Sequence, residues 1–245
     1  MKIITWNCNM VFRNKAKHIF AHNPDILIVP ECENEEKLKF TDELKIPNDI
    51  IWYGKNPNKG IGIFAFNNYK LKLLDCHNPN FKNVLPISVT NGNIYFILFA
   101  IWANNPEDKD GAYVTQIWKA INYYEKLLSE NNTILVGDFN SNTIWDKPRR
   151  IGNHSTVVAK LEEKQIFSTY HKFFNLVQGE EEHPTLFMYR HRDKPYHIDY
   201  CFASLYFIEN LKSVEIGKYE DWSIYSDHKP LIVEFNLENK PHEIL

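Results

Sequence analysis

The sequence predicts a single α/β domain, on three observations. Apolar runs of strand length occur in both halves of the chain, helical patterns lie between them, and no linker, low-complexity run or internal repeat divides the halves. The length of 245 residues could also make two small domains, and it is ample for a sizeable core. Hydrophobic residues at 44% and charged residues at 24% suit an ordinary globular chain, with an aromatic share of 14% as the main departure.

Taken in order, the first strand runs from Lys2 to Trp6 and stops at Asn7-Cys8-Asn9. A helix follows from about Lys15 to Ala21, and Asn23-Pro24 breaks it, because proline cannot continue a helix and restricts the residue before it. The second strand, Asp25 to Val29, ends at Pro30-Glu31-Cys32-Glu33. Residues 35 to 45 carry Leu38, Phe40 and Leu44 among charges, which predicts a surface helix.

From Ile50 the periodicity changes to strands. Gly60 to Phe66, Leu71 to Leu74, Val84 to Thr90 and Ile94 to Trp102 are joined by the turn signals Asn67-Asn68 and Asn91-Gly92-Asn93, as in an antiparallel meander. The run from Ile94 to Trp102 is apolar on both faces and belongs at the centre of a covered sheet. After a polar loop at 104–111, residues 112–130 form the clearest helix, with Ile117, Ala120, Ile121, Tyr124 and Leu128 on one stripe.

Thr133 to Val136 then reads as a buried strand that ends abruptly at Gly137-Asp138-Phe139-Asn140. Period-two alternation points Asp138 and Asn140 the same way, and Gly137 allows a backbone or a ligand to approach closely. Alone, this stretch is as consistent with an Asx-type turn as with a site. Farther on, Ser155 is a good N-cap for a helix to about Lys164, and strands at Ile198 to Ala203 and Leu231 to Phe235 close the chain.

Bulk charge and cysteine usage exclude some classes. A formal charge of −3 and a pI near 6.4 give no whole-molecule positive field, so polyanion binding would rest on local basic loops or a metal. Cys8, Cys32, Cys76 and Cys201 lack CxxC spacing, which argues against a zinc or redox motif and for reduced, mostly buried thiols. The N-terminal stretch has no apolar signal-like region, and no apolar run is long enough to span a bilayer. The expectation is a soluble cytoplasmic protein.

Chemistry gathers at the strand ends. Asn7, Glu31, Asp138 and Asn140 follow apolar runs, whereas Asp227 and His228 precede one. If the last strand runs antiparallel to the others, all six share one edge. Carboxylates gathered there repel one another unless a cation sits among them, and hard oxygen ligands suit Mg²⁺ or Mn²⁺. Among ten histidines, His228 alone follows an acidic residue directly before a β-run, and Asp199 in His197-Ile198-Asp199-Tyr200 could orient its imidazole. The competing reading makes His228 a hydrogen-bonded surface group and Asp199 a partner of a backbone amide.

Together Thr5-Trp6-Asn7, Pro24-Asp25-Ile26-Leu27 leading to Glu31, Gly137-Asp138-Phe139-Asn140, His197-Ile198-Asp199-Tyr200 and Ser226-Asp227-His228-Lys229-Pro230 resemble the endonuclease/exonuclease/phosphatase superfamily. Its members include exonuclease III-like and deoxyribonuclease I-like enzymes, deadenylases, inositol polyphosphate 5-phosphatases and sphingomyelinases. The motifs stand in the family order from Asn7 to Pro230.

The resemblance implies a four-layer sandwich, two packed mixed β-sheets flanked by helices, and metal-dependent hydrolysis of a phosphoester by in-line attack of water. It further implies that Glu31 is the principal metal ligand with Asp227 in support, and that Asn7 helps place metal and phosphate. Asp138 would activate or orient water, and Asn140 would hold it or the phosphate. His228 would bond to the phosphate or move a proton, oriented by Asp199. Which of Asp138 and His228 is the base stays open.

Two positions depart from the family pattern. Trp102 stands where His or Tyr is common, and an indole donates one N–H but exchanges no proton. Asn9 replaces a frequent acid, which weakens the case for a second metal site.

Substrate contacts are expected from Trp102 and from the aromatic and basic loops at Asn142 to Ser155 and Tyr189 to His197, through Trp145, Arg149, Arg150, Arg190 and Tyr196. The alternative is that these loops are solvated and their rings pack locally. The leading expectation is a nuclease or phosphodiesterase acting on DNA or RNA. A phosphatase or pyrophosphatase acting on a phosphorylated small molecule is the alternative, and a catalytically silent binding protein of the same fold is the third. No protein partner can be inferred.

Overall fold

Period-two alternation along the strands gives both faces of two stacked sheets something to bury, and the architecture follows from it. The computed structural model describes residues 1–40, 45–81, 83–104 and 113–237. Strand β1 (Lys2–Thr5) leads through a 3₁₀ turn at Phe12–Asn14 into helix α1 (Ala16–Phe20) and strand β2 (Ile26–Cys32). Strands β3 (Asp49–Asn56) and β4 (Lys59–Ala65) form a hairpin, followed by β5 (Lys70–Leu73), β6 (Val84–Thr90) and β7 (Tyr95–Trp102). Helices α2 (Val114–Tyr123) and α3 (Glu125–Glu130) precede β8 (Thr133–Asp138). Next come α4 (His154–Glu162), β9 (Ile166–Ser168), α5 (Thr169–Phe174) and the short ribbon of β10 (Leu186–Phe187) and β11 (Pro195–Tyr196). The last elements are β12 (Asp199–Ser204), α6 (Leu205–Glu209), β13 (Leu211–Ile216), α7 (Tyr219–Trp222) and β14 (Leu231–Phe235).

One six-stranded sheet has the order β13-β14-β1-β2-β4-β3 and the other β5-β6-β7-β8-β12-β9. Both are mixed: β1 runs parallel to β2 and antiparallel to β14, while β7 runs parallel to β8 and β8 antiparallel to β12. Alternate residues separate three apolar layers. Ile3, Ile28, Leu98, Ala100 and Val136 fill the space between the sheets. Ile97, Phe99, Ile101 and Leu135 face α2, α3 and α4 instead, and Ile4, Leu27 and Val29 face α1 and Trp222. Helices, sheet, sheet and helices make four layers, as the resemblance implied. The run ending at Trp102 lies centrally in its sheet, again as expected.

Gly137 is where the two central strands of the second sheet come closest to conflict. Its φ is +145°, and a Cβ there would meet the Ile101 carbonyl oxygen, opposite it in the parallel register, at 1.9 Å. The close approach expected of Gly137 is therefore to backbone.

Local expectations fail where tertiary contacts outweigh spacing. Instead of a helix over 35–45 there is a 3₁₀ turn at Glu35–Lys37, capped by Asn34, and Leu38 is extended. Leu38 is buried without helix, and Phe40 stacks on Phe20 at 6.3 Å; residues 41–44 lie outside the described residues. The expected meander is divided, because β4 joins the first sheet while β5, β6 and β7 belong to the second. Asn67 and Asn68, both with positive φ, thus carry the chain between sheets.

The helix expected over 112–130 is two, α2 and α3, separated at Tyr124, whose hydroxyl accepts from the Asn78 N–H at 2.8 Å. Residue 112, and the expected polar loop beyond Asn104, lie outside the described residues. Ser155 lies inside α4 rather than capping it: the Asp146 carboxylate accepts from the backbone N–H groups of His154 and Ser155 at 2.9 and 3.0 Å. A carboxylate at the first turn satisfies two donors at once, which a single hydroxyl one residue later cannot do.

Candidate active site

The chain past β1 stays hydrogen-bonded to β2, with Trp6 N donating to Ile28 O at 3.0 Å and Cys8 N to Pro30 O at 3.2 Å. That continuation sets Asn7 between the sheets' ends. Its Nδ2 donates to Asp138 Oδ2 at 3.0 Å and lies 3.5 Å from Glu31 Oε1, while its Oδ1 accepts from Asn9 N at 3.0 Å. Glu31 does not follow β2, as the sequence suggested, but sits inside it, where the pairing with β4 slips between Pro30 and Cys32. The bulge gives Glu31 a φ of +62° and re-aims its side chain.

Asp138 and Asp199 face one another across the β8–β12 ladder, and both are fully buried. Asp138 Oδ1 accepts from Asn140 N at 2.9 Å, and Asn140, at φ +48°, brings its own Nδ2 to 3.4 Å from Oδ2. The Asx turn and the site are thus the same structure. Left-handed backbone at Asn9, Met10, Val11, Glu31 and Asn140 surrounds the centre, a concentration of strain held by the packed strands.

His228 reaches this edge from the first sheet, just before β14. Its Nδ1 lies 2.9 Å from Asp199 Oδ2, its backbone N donates to Ser226 Oγ at 3.0 Å, and Trp6 Nε1 donates to its carbonyl at 3.1 Å. Ser226 Oγ in turn donates to Asn7 O at 2.8 Å. Asp227 accepts from Asn9 Nδ2 at 2.9 Å. Asn7, Glu31, Asp138, Asn140, Asp199, Asp227 and His228 therefore form one connected group.

No protein-family model matches the chain, and no curated protein matches it by sequence. Its structure matches solved structures over almost its whole length. A 3′-5′ exonuclease from Neisseria meningitidis superposes with a TM-score of 0.68 at 20% identity, covering 97% of this chain and 100% of the other. An AP endonuclease from Archaeoglobus fulgidus gives 0.68 at 17% identity with the same coverage. A Neisseria structure described as a 3′ phosphatase bound to product DNA hairpin gives 0.68 at 21%, again covering 97% and 100%. The chain has the deoxyribonuclease I-like fold.

Within this fold, the site is rich in carboxylate. Burial raises the Asp138 carboxyl to about 7, with His228 pulling the other way and Asp199 adding to the rise. Burial opposes charge on His228, but Asp199, Asp138 and Asp227 outweigh it and lift the imidazole to about 10. Lys229, fully buried, donates to the carbonyls of Ser226 and Asp227 at 3.3 and 3.1 Å, and burial lowers it to about 8.

The donor chemistry fits a hard divalent cation. Glu31, Asp138, Asp199 and Asp227 offer carboxylate oxygens, Asn7 and Asn9 offer amides, and the buried Asp199 Oδ1 has no hydrogen-bond partner among the described residues. One donor atom each from Asp138, Asp199 and His228 lie within 4.8 Å of one another. His228 Nδ1 is already engaged by Asp199, so Glu31 and Asp227, both only half-buried, are the more open donors, with Asn7 buried beside them.

Among the described residues, two clefts flank the centre. One, of about 270 Å³, is lined by Asn140, Asn142, Trp145, Arg150 and Met188 among others; Tyr196 packs on Trp145 with ring centroids 4.9 Å apart. Trp102 lines the other, of about 630 Å³. Arg149 and Arg190 line neither: Arg149 is exposed on a turn, and the Arg190 guanidinium donates to the carbonyls of Ile224 and Tyr225 at 3.3 and 3.5 Å.

Sequence reasoning missed Thr185, Glu181 and Lys59. Thr185 Oγ1 accepts from the N–H groups of Ile198 and Asp199 at 3.0 Å each, and its carbonyl accepts from Lys229 N at 2.6 Å, clipping the two sheets together beside the site. Its only signal was a hydroxyl before the apolar pair Leu186-Phe187. Glu181, half-buried with its side chain only 4% exposed, accepts from Asn142 Nδ2 at 3.0 Å and faces His171 Nε2 at 3.1 Å, and nothing local foretells either.

Proposed function

We propose that the chain is a divalent-metal-dependent phosphoester hydrolase, acting as a nuclease or phosphodiesterase on DNA or RNA. The reading rests on one observation: the Asp199–His228 pair and the Asn7–Asp138 pair, built from different sheets, meet at one edge with Glu31 beside them. An edge so rich in carboxylate suits a substrate that arrives with a cation and carries phosphate.

Glu31 and Asp227, with Asn7, would hold Mg²⁺ or Mn²⁺, which supplies Lewis-acid polarisation of the phosphoryl group and neutralises developing charge. Asp199 accepts from Nδ1 of His228, which leaves Nε2 as the atom that meets a phosphate oxygen. Asp138, held by Asn7 and by the Asn140 backbone, is oriented to take a proton from water. Asn140 is in place to bond either the water or the phosphate. Trp145, Arg150 and Tyr196 form a ring-and-cation wall for the substrate on the Asn140 side. The solved neighbours described as an exonuclease and an AP endonuclease, and the one described as a 3′ phosphatase bound to product DNA hairpin, support a nucleic acid as substrate.

The test is a panel of single- and double-stranded DNA, RNA and small phosphate esters, in Mg²⁺, in Mn²⁺ and in chelator, with Asp138→Asn as control. Metal-dependent cleavage of a polynucleotide that Asp138→Asn loses is expected. Failure to hydrolyse any phosphoester sinks the reading. The size of the larger cleft, about 630 Å³, favours a second reading, a phosphatase or pyrophosphatase for a phosphorylated small molecule, and hydrolysis confined to the small esters would establish it.

A further inference from the structure

The cleft on the Glu31 side has no role in the chemistry above, although it adjoins the centre through two residues. Lys59 Nζ lies 3.3 Å from Glu31 Oε2 and 5.5 Å from the centroid of the Trp102 ring. Trp102 stands opposite Asp138 in the β7–β8 register, and the next residue, Ala103, donates its N–H to the Asp138 carbonyl at 2.8 Å. A ligand placed against Trp102 is therefore one residue from the catalytic carboxylate.

The wall of this cleft has a definite chemistry. Tyr53 presents a ring and Trp102, 7% exposed, only a ring edge, while Asn83, Asn104 and Gln116 present amides that both donate and accept. Among the described residues that line it, Lys55 and Lys59 are the ionisable cations and there is no carboxylate, in a chain whose net charge is −3. Flat ring, hydrogen-bonding edge and anion are the three things such a wall receives, and a nucleotide carries all three.

Lys59 is also suited to hold the anion. The hairpin pairs it with Asn56, which fixes its backbone, and the Glu31 carboxylate and the Trp102 face hold its ammonium from two sides. An ammonium has three donors, so the Glu31 contact leaves capacity for a phosphate oxygen. Trp102 can offer that oxygen a single N–H at most.

We propose that this cleft is a nucleotide subsite, in which a base lies against Tyr53 at the exposed edge of Trp102 and Lys59 donates to the phosphate that runs on into the catalytic centre. The proposal deepens the hydrolase reading and rests on it for the identity of the reacting phosphate. It assigns a residue, Lys59, and a ligand class to a surface that the catalytic group does not use.

Calorimetric titration of the full chain in chelator, with adenosine 5′-monophosphate, adenosine and ribose 5-phosphate as probes, tests the proposal without turnover. The monophosphate is expected to bind about tenfold more tightly than ribose 5-phosphate, the equivalent of one stacked base, and about tenfold more tightly than adenosine, the equivalent of one charge-assisted contact. Lys59→Met should bring the monophosphate to the affinity of adenosine and leave adenosine unchanged, and Lys59→Arg should preserve both. Lys59→Gln serves if the methionine variant does not fold.

Equal binding of the monophosphate and ribose 5-phosphate overturns the proposal, as does monophosphate binding that ignores the loss of Lys59. Loss of that binding in Trp145→Ala but not in Lys59→Met would put the nucleotide in the other cleft and overturn it equally. Lys59-dependent binding in a protein that cleaves no phosphoester would leave the subsite standing and remove the hydrolase reading. Metal-dependent cleavage without base-dependent binding would do the reverse.

Discussion

His228 Nδ1 lies 2.9 Å from Asp199 Oδ2, and the two residues come from different sheets. Asp199 opens β12 in the second sheet, while His228 stands just before β14 in the first. Neither strand alone makes the pair; the stacking of the sheets does. Thr185 secures the alignment, its hydroxyl on the Asp199 N–H and its carbonyl on the Lys229 N–H.

Replacing Asp199 by Asn keeps the size of the side chain but allows its amide to turn an N–H toward His228, so the imidazole loses both its orientation and its counter-charge. The expected result is a fall in kcat of about a hundred- to ten-thousandfold with little change in KM. Steady-state kinetics on whichever substrate the panel identifies would check this, with circular dichroism confirming the fold. A variant within threefold of the wild type would remove Asp199 from the mechanism.

Most of this centre was legible because each member stands where a period-two apolar run stops. Asn7, Asp138 and the Asp227-His228 pair needed only strand ends and strand direction to be brought together. Glu31 was found for a partly wrong reason: its strand does not end there but bulges, and a bulge leaves no mark in composition. Lys59 and Glu181 were invisible, since their partners lie 28 and 39 residues away, at Glu31 and Asn142. The lost helix over 35–45 has the same origin. Leu38 is buried and Phe40 finds its partner in Phe20, and those tertiary contacts outweigh the local spacing.

Glu31→Gln should weaken metal binding without unfolding the chain, because the amide keeps the volume and removes one charged oxygen. The half-saturating Mg²⁺ concentration is expected to rise by about 10- to 100-fold. A second readout is independent of activity: the rise in melting temperature that Mg²⁺ produces in the wild type should be lost at the same concentration in the variant. An unchanged Mg²⁺ response would move the principal ligand elsewhere.

Gly137→Ala tests whether the approach of β7 to β8 is as tight as it stands. A Cβ would meet the Ile101 carbonyl oxygen at 1.9 Å, at a φ of +145° that an L side chain rarely adopts. Because the neighbour is backbone in a central strand, it cannot turn aside, and the loss of stability should be about 3 kcal/mol or more. Urea denaturation measures it. A loss below 1 kcal/mol, taken as roughly the scale of an ordinary substitution, would mean that the strands separate easily.

Acid should destabilise the chain through two buried histidines, partly offset by Asp138, whose raised carboxyl takes up a proton in the folded chain over the same window. Burial lowers His154 and His197 from 6.5 to about 4 each; His154 lies between Ser141 Oγ at 2.8 Å and Gln178 Oε1 at 3.2 Å, and His197 Nδ1 lies 2.7 Å from His183 O. With the folded value below the unfolded one, the unfolded chain binds more protons between pH 6.5 and 4, so stability is full above that window and falls as pH drops through it. Each histidine contributes a slope of about 1.4 kcal/mol per pH unit. Urea midpoints measured from pH 7 to 4 should trace this decline, and His154→Gln should remove about half of the slope that the two histidines contribute. A pH dependence in His154→Gln as steep as that of the wild type would show that this imidazole is not held neutral by the fold.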